Sequence, residues 1–290
     1  MNKKRFLFLI ADALFDRLES FWDSRRFHML VGYVLVIGFL GALLFIELQR
    51  QQLLPSSWAV FIPTNHFYAV AFAFNLLLIM EVISLVFSLV HSICDALGKQ
   101  FEILSLILLR SSFKEFIHFS EPLVWNDLFQ PVVHILSDAG GAFLLFIFLG
   151  FYYRIQKHYQ ITADEGDLKN FISAKKILAL LLLTAFLVLG LYNFYDLLFH
   201  HGTHNFFATF YTILIFSDIL LVLLSLRYTY NYYTLFRNSG FALTTVVIRL
   251  ALTAPIYINI LLGLSAALFA LAITIAYNTF FQDYMKNKSQ

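Results

Sequence analysis

Cysteine is nearly absent from this chain. Cys94 stands alone, which excludes an intramolecular disulfide and a thiolate metal cluster within one chain. Charge is scarce as well: 13% of the residues are charged against 60% hydrophobic, a balance that excludes a soluble domain of 290 residues. The net charge of +2, from 20 basic and 18 acidic residues, leaves no electrostatic footprint for nucleic acid. The longest polar connection, 154–176, is about twenty residues, so any chemistry must sit within or at the edge of a bilayer. No phosphate-cradling glycine-rich loop and no HExxH, GxSxG or CxxCH sequence occurs. The balance falls against an enzyme without excluding one.

What the chain has instead is a succession of apolar runs, at 29–48, 67–90, 132–153, 177–199, 206–226 and 256–277. A hydrocarbon core of ~30 Å takes about 20 residues of helix at a rise of about 1.5 Å each, which these runs supply. The expected fold class is all-α: a polytopic membrane bundle of seven or eight transmembrane segments, preceded by an amphipathic interfacial helix. The corresponding division is 1–27 for the N-terminal helix, 28–281 for one transmembrane domain and 282–290 for a polar tail. The 34 Phe and 15 Tyr suit lipid-facing and interfacial positions without any cofactor.

Lys3, Lys4 and Arg5 precede an apolar stretch, as in a signal peptide, but Asp12 and Asp16 interrupt it. Arg5, Asp12, Asp16, Glu19 and Asp23 fall on one helical stripe opposite Leu7, Ile10, Leu14, Leu18 and Phe21. Residues 4–24 are therefore expected to lie on the lipid bilayer or to dock on a partner, either a second copy or another membrane subunit.

The distribution of Lys and Arg sets the expected orientation. The N-terminus, with Arg17, Arg25 and Arg26, is placed in the cytoplasm, as is 154–176 with Arg154, Lys157, Lys169, Lys175 and Lys176. The stretch 119–131 has Glu121 and Asp127 but no Lys or Arg, so it is placed outside. Parity then demands that 100–118 cross the membrane despite Glu102, Arg110, Lys114 and Glu115. After Arg227 and Arg237, placed inside, 241–254 is read as a short crossing ended by Pro255, or else as re-entrant. An echo between Val90-His91-x-x-x-Asp95 and Val133-His134-x-x-x-Asp138 raises the possibility of an inverted repeat.

Ionisable residues facing lipid cost ~2.5–3.5 kcal/mol or more each, so those within spans face protein or water. Glu81 and Arg110 fall at matching depth, and so do Asp218 and Arg249, which makes two expected buried acid–base pairs. They either fix helix register or form an ion or proton path. A second cluster gathers outside: His66, His118, His134, His200, His201 and His204. His134 with Asp138, and Asp196 with His200, stand one helical turn apart, a spacing that suits a zinc, iron or copper ion, proton handling, or plain solvation. His91 with Asp95 repeats the spacing at the inner side. Asn75 and Asn193 are expected to hydrogen-bond between helices, and Gly140, Gly141 and Gly150 to mark close packing. Three classes remain: an ion or small-solute channel or transporter, a metal-dependent membrane enzyme or redox subunit, and a non-catalytic anchoring subunit. The two charge pairs favour the first.

Overall fold

The computed structural model describes residues 3–53, 55, 62–91, 93–156, 165–199, 206–226 and 232–288. Among them the only regular elements are helices. In order come α1 (Lys3–Trp22), α2 (Arg25–Arg50), α3 (Phe67–Ser88), α4 (Ile93–Lys114), a 3₁₀ turn (Glu115–His118), α5 (Trp125–Ile155), α6 (Glu165–Phe199), α7 (Phe206–Leu226), α8 (Tyr232–Thr253) and α9 (Ile258–Lys288). Seven of these helices contain stretches long and apolar enough to cross a bilayer: α2, α3, α5, α6, α7, α8 and α9.

Helix α4 is not among the seven, because its charges dilute its hydropathy. Its neighbours settle its course. It runs antiparallel to α3, with Phe67 against Phe116, Phe74 stacked on Phe113 at 4.6 Å and Glu81 against Arg110. It runs antiparallel to α5 as well. Ser112 Oγ donates to Ile135 O at 3.3 Å near one end, and Gln156 Nε2 donates to Asp95 Oδ1 at 3.0 Å near the other. Helix α4 thus covers, in the opposite direction, the same depth as the candidate spans α3 and α5.

Segment 241–254 is neither short nor re-entrant: it is the later half of α8, an unbroken 22-residue helix. Arg237, expected in a connection, is buried inside that helix with its guanidinium 4.3 Å from the Tyr277 ring centroid. The polar connection is likewise shorter than expected, since α6 begins at Glu165 and carries Lys175 and Lys176 within it.

A helix triplet occurs twice. Helices α3, α4 and α5 have 22, 22 and 31 residues; α7, α8 and α9 have 21, 22 and 31. Each first helix carries a buried acid, Glu81 or Asp218, and each second helix the arginine that meets it. Asp138 meets Asn259 and Ile155 meets Asn278, so α5 and α9 run parallel. The triplets run in the same direction, whereas the echo falls on the start of α4, at 93–98, and inside α5, at 133–141, two helices that run antiparallel.

Apolar packing divides the bundle into two groups. Leu104, Leu145, Phe241 and Ala270 belong to a core shared by α4, α5, α8 and α9. Phe15, Val82, Leu182 and Leu214 belong to a second core shared by α1, α3, α6 and α7. In the first, a Cβ on Gly141 would stand 2.6 Å from Ile260 Cγ2, whereas nothing lies within 4 Å of one on Gly140 or Gly150. Of the three glycines, only Gly141 serves close approach. Gly141→Ala is expected to cost ~1–3 kcal/mol of stability through overpacking. Gly140→Ala should be neutral or mildly stabilising, by up to ~1 kcal/mol of helix propensity, in thermal unfolding in detergent. Asn75 is exposed on α3 and bonds no other helix.

Helix α1 docks by its charged stripe. Asp12 accepts from Ser173 Oγ at 2.8 Å, Asp16 pairs with Lys176 at 2.7 Å, and Glu19 approaches His91 at 3.4 Å. Burial raises the Glu19 pKa above its ordinary value, with the His91 charge opposing. Trp22 Nε1 donates to Ser84 Oγ at 3.1 Å, after which Ser24 caps α2 through Phe27 N. The opposite stripe, Leu9, Ile10, Leu14, Leu18 and Phe21, stays exposed. The amphipathic reading of the sequence thus has its polar face on the protein.

Candidate functional site: a polar seam between two helix groups

Both charge pairs lie where the two apolar groups meet. Glu81 on α3 belongs to one side and Arg110 on α4 to the other, and they form a direct ion pair. Asp218 on α7 faces Arg249 on α8 in the same way, with Nε 3.4 Å from Oδ2. Arg249 is 0% exposed, and neither Nη nitrogen has an acceptor among the described residues. At 3.4 Å the contact is an ion pair more than an aligned hydrogen bond, which leaves guanidinium donors free for water or another ligand. Between the two pairs lies Tyr211, buried on α7 and within electrostatic reach of both Arg249 and Glu81. Lys114, one turn beyond Arg110, adds its charge to the Glu81 side.

Toward the end of the bundle where α1 docks, the seam opens into a cavity of about 50 Å³. One water needs only ~10–15 Å³ of such space, so the cavity takes a few waters or one small ion. Its polar lining comes from Gln100, Lys175, Asp218, Ser225, Asn238 and Thr245. Lys175 is only 4% exposed; its Nζ donates to His91 O at 2.6 Å and lies 5.1 Å from the Phe171 ring centroid. Sequence reasoning placed Lys175 among solvated loop charges and missed Gln100, Asn238 and Tyr211. The one available signal was helical spacing: Phe171, Lys175, Leu178 and Leu182 mark a single face that continues into the apolar run.

At the exterior end, the described members of the cluster take separate partners. His134 Nδ1 stands 3.1 Å from Glu115 Oε2, while Asp138 accepts from Ser111 Oγ at 2.5 Å and from Asn259 Nδ2 at 3.3 Å. One helical turn apart, the two therefore serve different partners. His66 lies between Glu47 and Glu121, each 3.1 Å from a different ring nitrogen, which ties the end of α2 to the loop after α4. Asp196 is buried near the end of α6. Among the described residues no three His, Cys, Asp or Glu converge on one point as metal ligands. His200, His201 and His204 lie outside the described residues. Compared with known protein families, curated proteins and solved structures, the chain matches none.

Proposed function

We propose that this integral membrane protein carries a small ion across the bilayer along the seam between its two helix groups. One observation supports this above the others: a succession of polar groups inside the bundle, from buried Lys175, Gln100 and Asn238 through Asp218 and Arg249 to Tyr211, Glu81 and the partly exposed Arg110. Charges in a bilayer are retained where they face water, a partner or a permeant species. Bundles that need charges only to fix register need one pair; here two pairs, an aromatic hydroxyl and a cavity line up. Each group has its own apolar core, the two meeting at Ile107 and Leu252, and one group rocks against the other about that contact. Each ion pair then acts as a latch across the seam.

The same reading puts the N-terminus in the cytoplasm. Arg17, Arg25, Arg26, Arg154, Lys169 and Lys176 lie at the end where α1 docks, while Glu47, Glu115, Glu121 and Asp127 crowd the other end around Arg50 and Lys114. The dispersal of His134, Asp138 and Asp196 favours neither a metal enzyme nor a metal-lined outer mouth. Docking of α1 on its own chain takes away the polar surface that an anchoring subunit would use.

The test is ion flux into liposomes. Glu81→Gln and Asp218→Asn keep side-chain shape and remove the charge, and each is expected to lower flux at least about tenfold, a change of ~1.4 kcal/mol in barrier. Flux equal to that of the wild type in both variants would reject the assignment.

A further inference from the structure

We infer that the cargo is a small monovalent anion of the halide type, held in the seam cavity by Lys175 and the Asn238 amide. The inference deepens the conductor reading and rests on it for the word cargo; binding itself stands on the geometry alone.

Fixed charge comes first. Asp218 is the only acid lining the cavity, and Arg249 already faces it. Lys175 has no carboxylate within ion-pair distance among the described residues; its ammonium is met by one backbone carbonyl and an aromatic ring. With Lys175 protonated, the lining carries one positive charge in excess. Eight apolar residues complete the wall, so that charge sits in a poorly solvating medium, where an uncompensated ion is costly. One monovalent anion restores neutrality.

Donor geometry comes second and is independent of charge. Asn238 is buried, and its Oδ1 accepts from Arg237 Nη2 at 3.4 Å. That contact turns the amide so that Nδ2 is the free end, and Nδ2 has no acceptor. A buried N–H donor without an acceptor, on the wall of a largely apolar cavity that also holds an ammonium, is what an anion site requires. Gln100 brings a second buried amide, whose Oε1 lacks a donor and whose Nε2 can face the cavity by rotation about its last bond. Size excludes larger cargo: about 50 Å³ is too small for an organic solute and adequate for a halide or a few waters. The carboxylate in the lining, Asp218, is already met by the Arg249 charge, although its Oδ2 accepts no hydrogen bond.

The experiment uses the full chain in nanodiscs, with chloride or bromide exchanged for gluconate at constant ionic strength and pH. Halide, and not gluconate, is expected to raise the melting temperature saturably, as a ligand of the folded state does. Lys175→Met and Asn238→Leu should each weaken the apparent halide affinity about tenfold or more, the usual worth of one hydrogen bond to an ion. Asn238→Leu changes no charge and carries the comparison if Lys175→Met does not fold. Equal melting of the wild type in halide and gluconate overturns the proposal, and so does a halide effect that both variants retain.

Liposome flux separates this inference from the conductor reading. Cation or proton flux that is lost in Glu81→Gln, without any halide effect, keeps the conductor and rejects the anion. Seam-dependent halide binding without flux keeps the site and rejects the conductor.

Discussion

Asp218→Ala is expected to lower the unfolding free energy by ~3–5 kcal/mol, among the largest effects any single substitution in this bundle should have. Arg249 is 0% exposed and its Nη nitrogens have no acceptor among the described residues, so Asp218 is the only group that compensates its charge. Removing the acid strands a guanidinium in the middle of the helix bundle. Arg249→Met should cost a similar amount, because it strands the carboxylate. The double variant Asp218→Leu/Arg249→Met is expected to recover most of the loss, since a buried ion pair returns little more than its own desolvation. Unfolding in one detergent, arranged as a double-mutant cycle, gives the coupling directly. Additive single effects would mean that the two groups act independently, and the seam would lose its latch.

A second large effect is expected at α1. Phe15 is 0% exposed and its ring lies 5.6 Å from that of Phe87, whereas its neighbour Leu14 points away from the protein. Phe15→Ala should weaken the docking of α1 by ~3–5 kcal/mol, through lost contacts and the cavity left behind. Leu14→Ala removes an exposed side chain and should leave docking within about 0.5 kcal/mol of the wild type. Limited proteolysis in detergent reads the difference: rapid cutting within α1 in the first variant and none in the second. The distinction is invisible in hydropathy, where Phe15 and Leu14 are adjacent apolar residues. It comes from polar contacts that fix which side of the helix faces the protein, those of Asp12 and Asp16 to α6 and that of Glu19 to His91.

These residues also mark how far sequence reasoning reached. Depth matching brought Glu81 to Arg110 and Asp218 to Arg249 because rise per residue is constant along a helix. It had no means of seeing Asn238 or Gln100, whose amides occur equally on lipid-distant faces and in loops. Lys175 misled for a related reason: next to Lys176, it completed a basic cluster typical of a connection. Only in the folded chain does one of these lysines reach Asp16 at the surface while the other turns inward to the His91 carbonyl. His134 and Asp138 show the opposite case. A shared helical face put them together, yet Glu115 and Ser111 on neighbouring elements draw them to separate partners.

Hydropathy and length by themselves determined that the chain is a helical membrane protein, because each backbone N–H and C=O in hydrocarbon must be bonded within its own segment. They also determined that its few internal charges are buried, since lipid tolerates none cheaply. Tertiary structure alone decided that the bundle has two apolar cores and that the polar groups line the plane between them; the course of α4 follows the crossing that parity already demanded of 100–118. Those features depend on how helices distant in sequence rotate against one another, and that rotation is chosen by packing and by partners that no local pattern encodes.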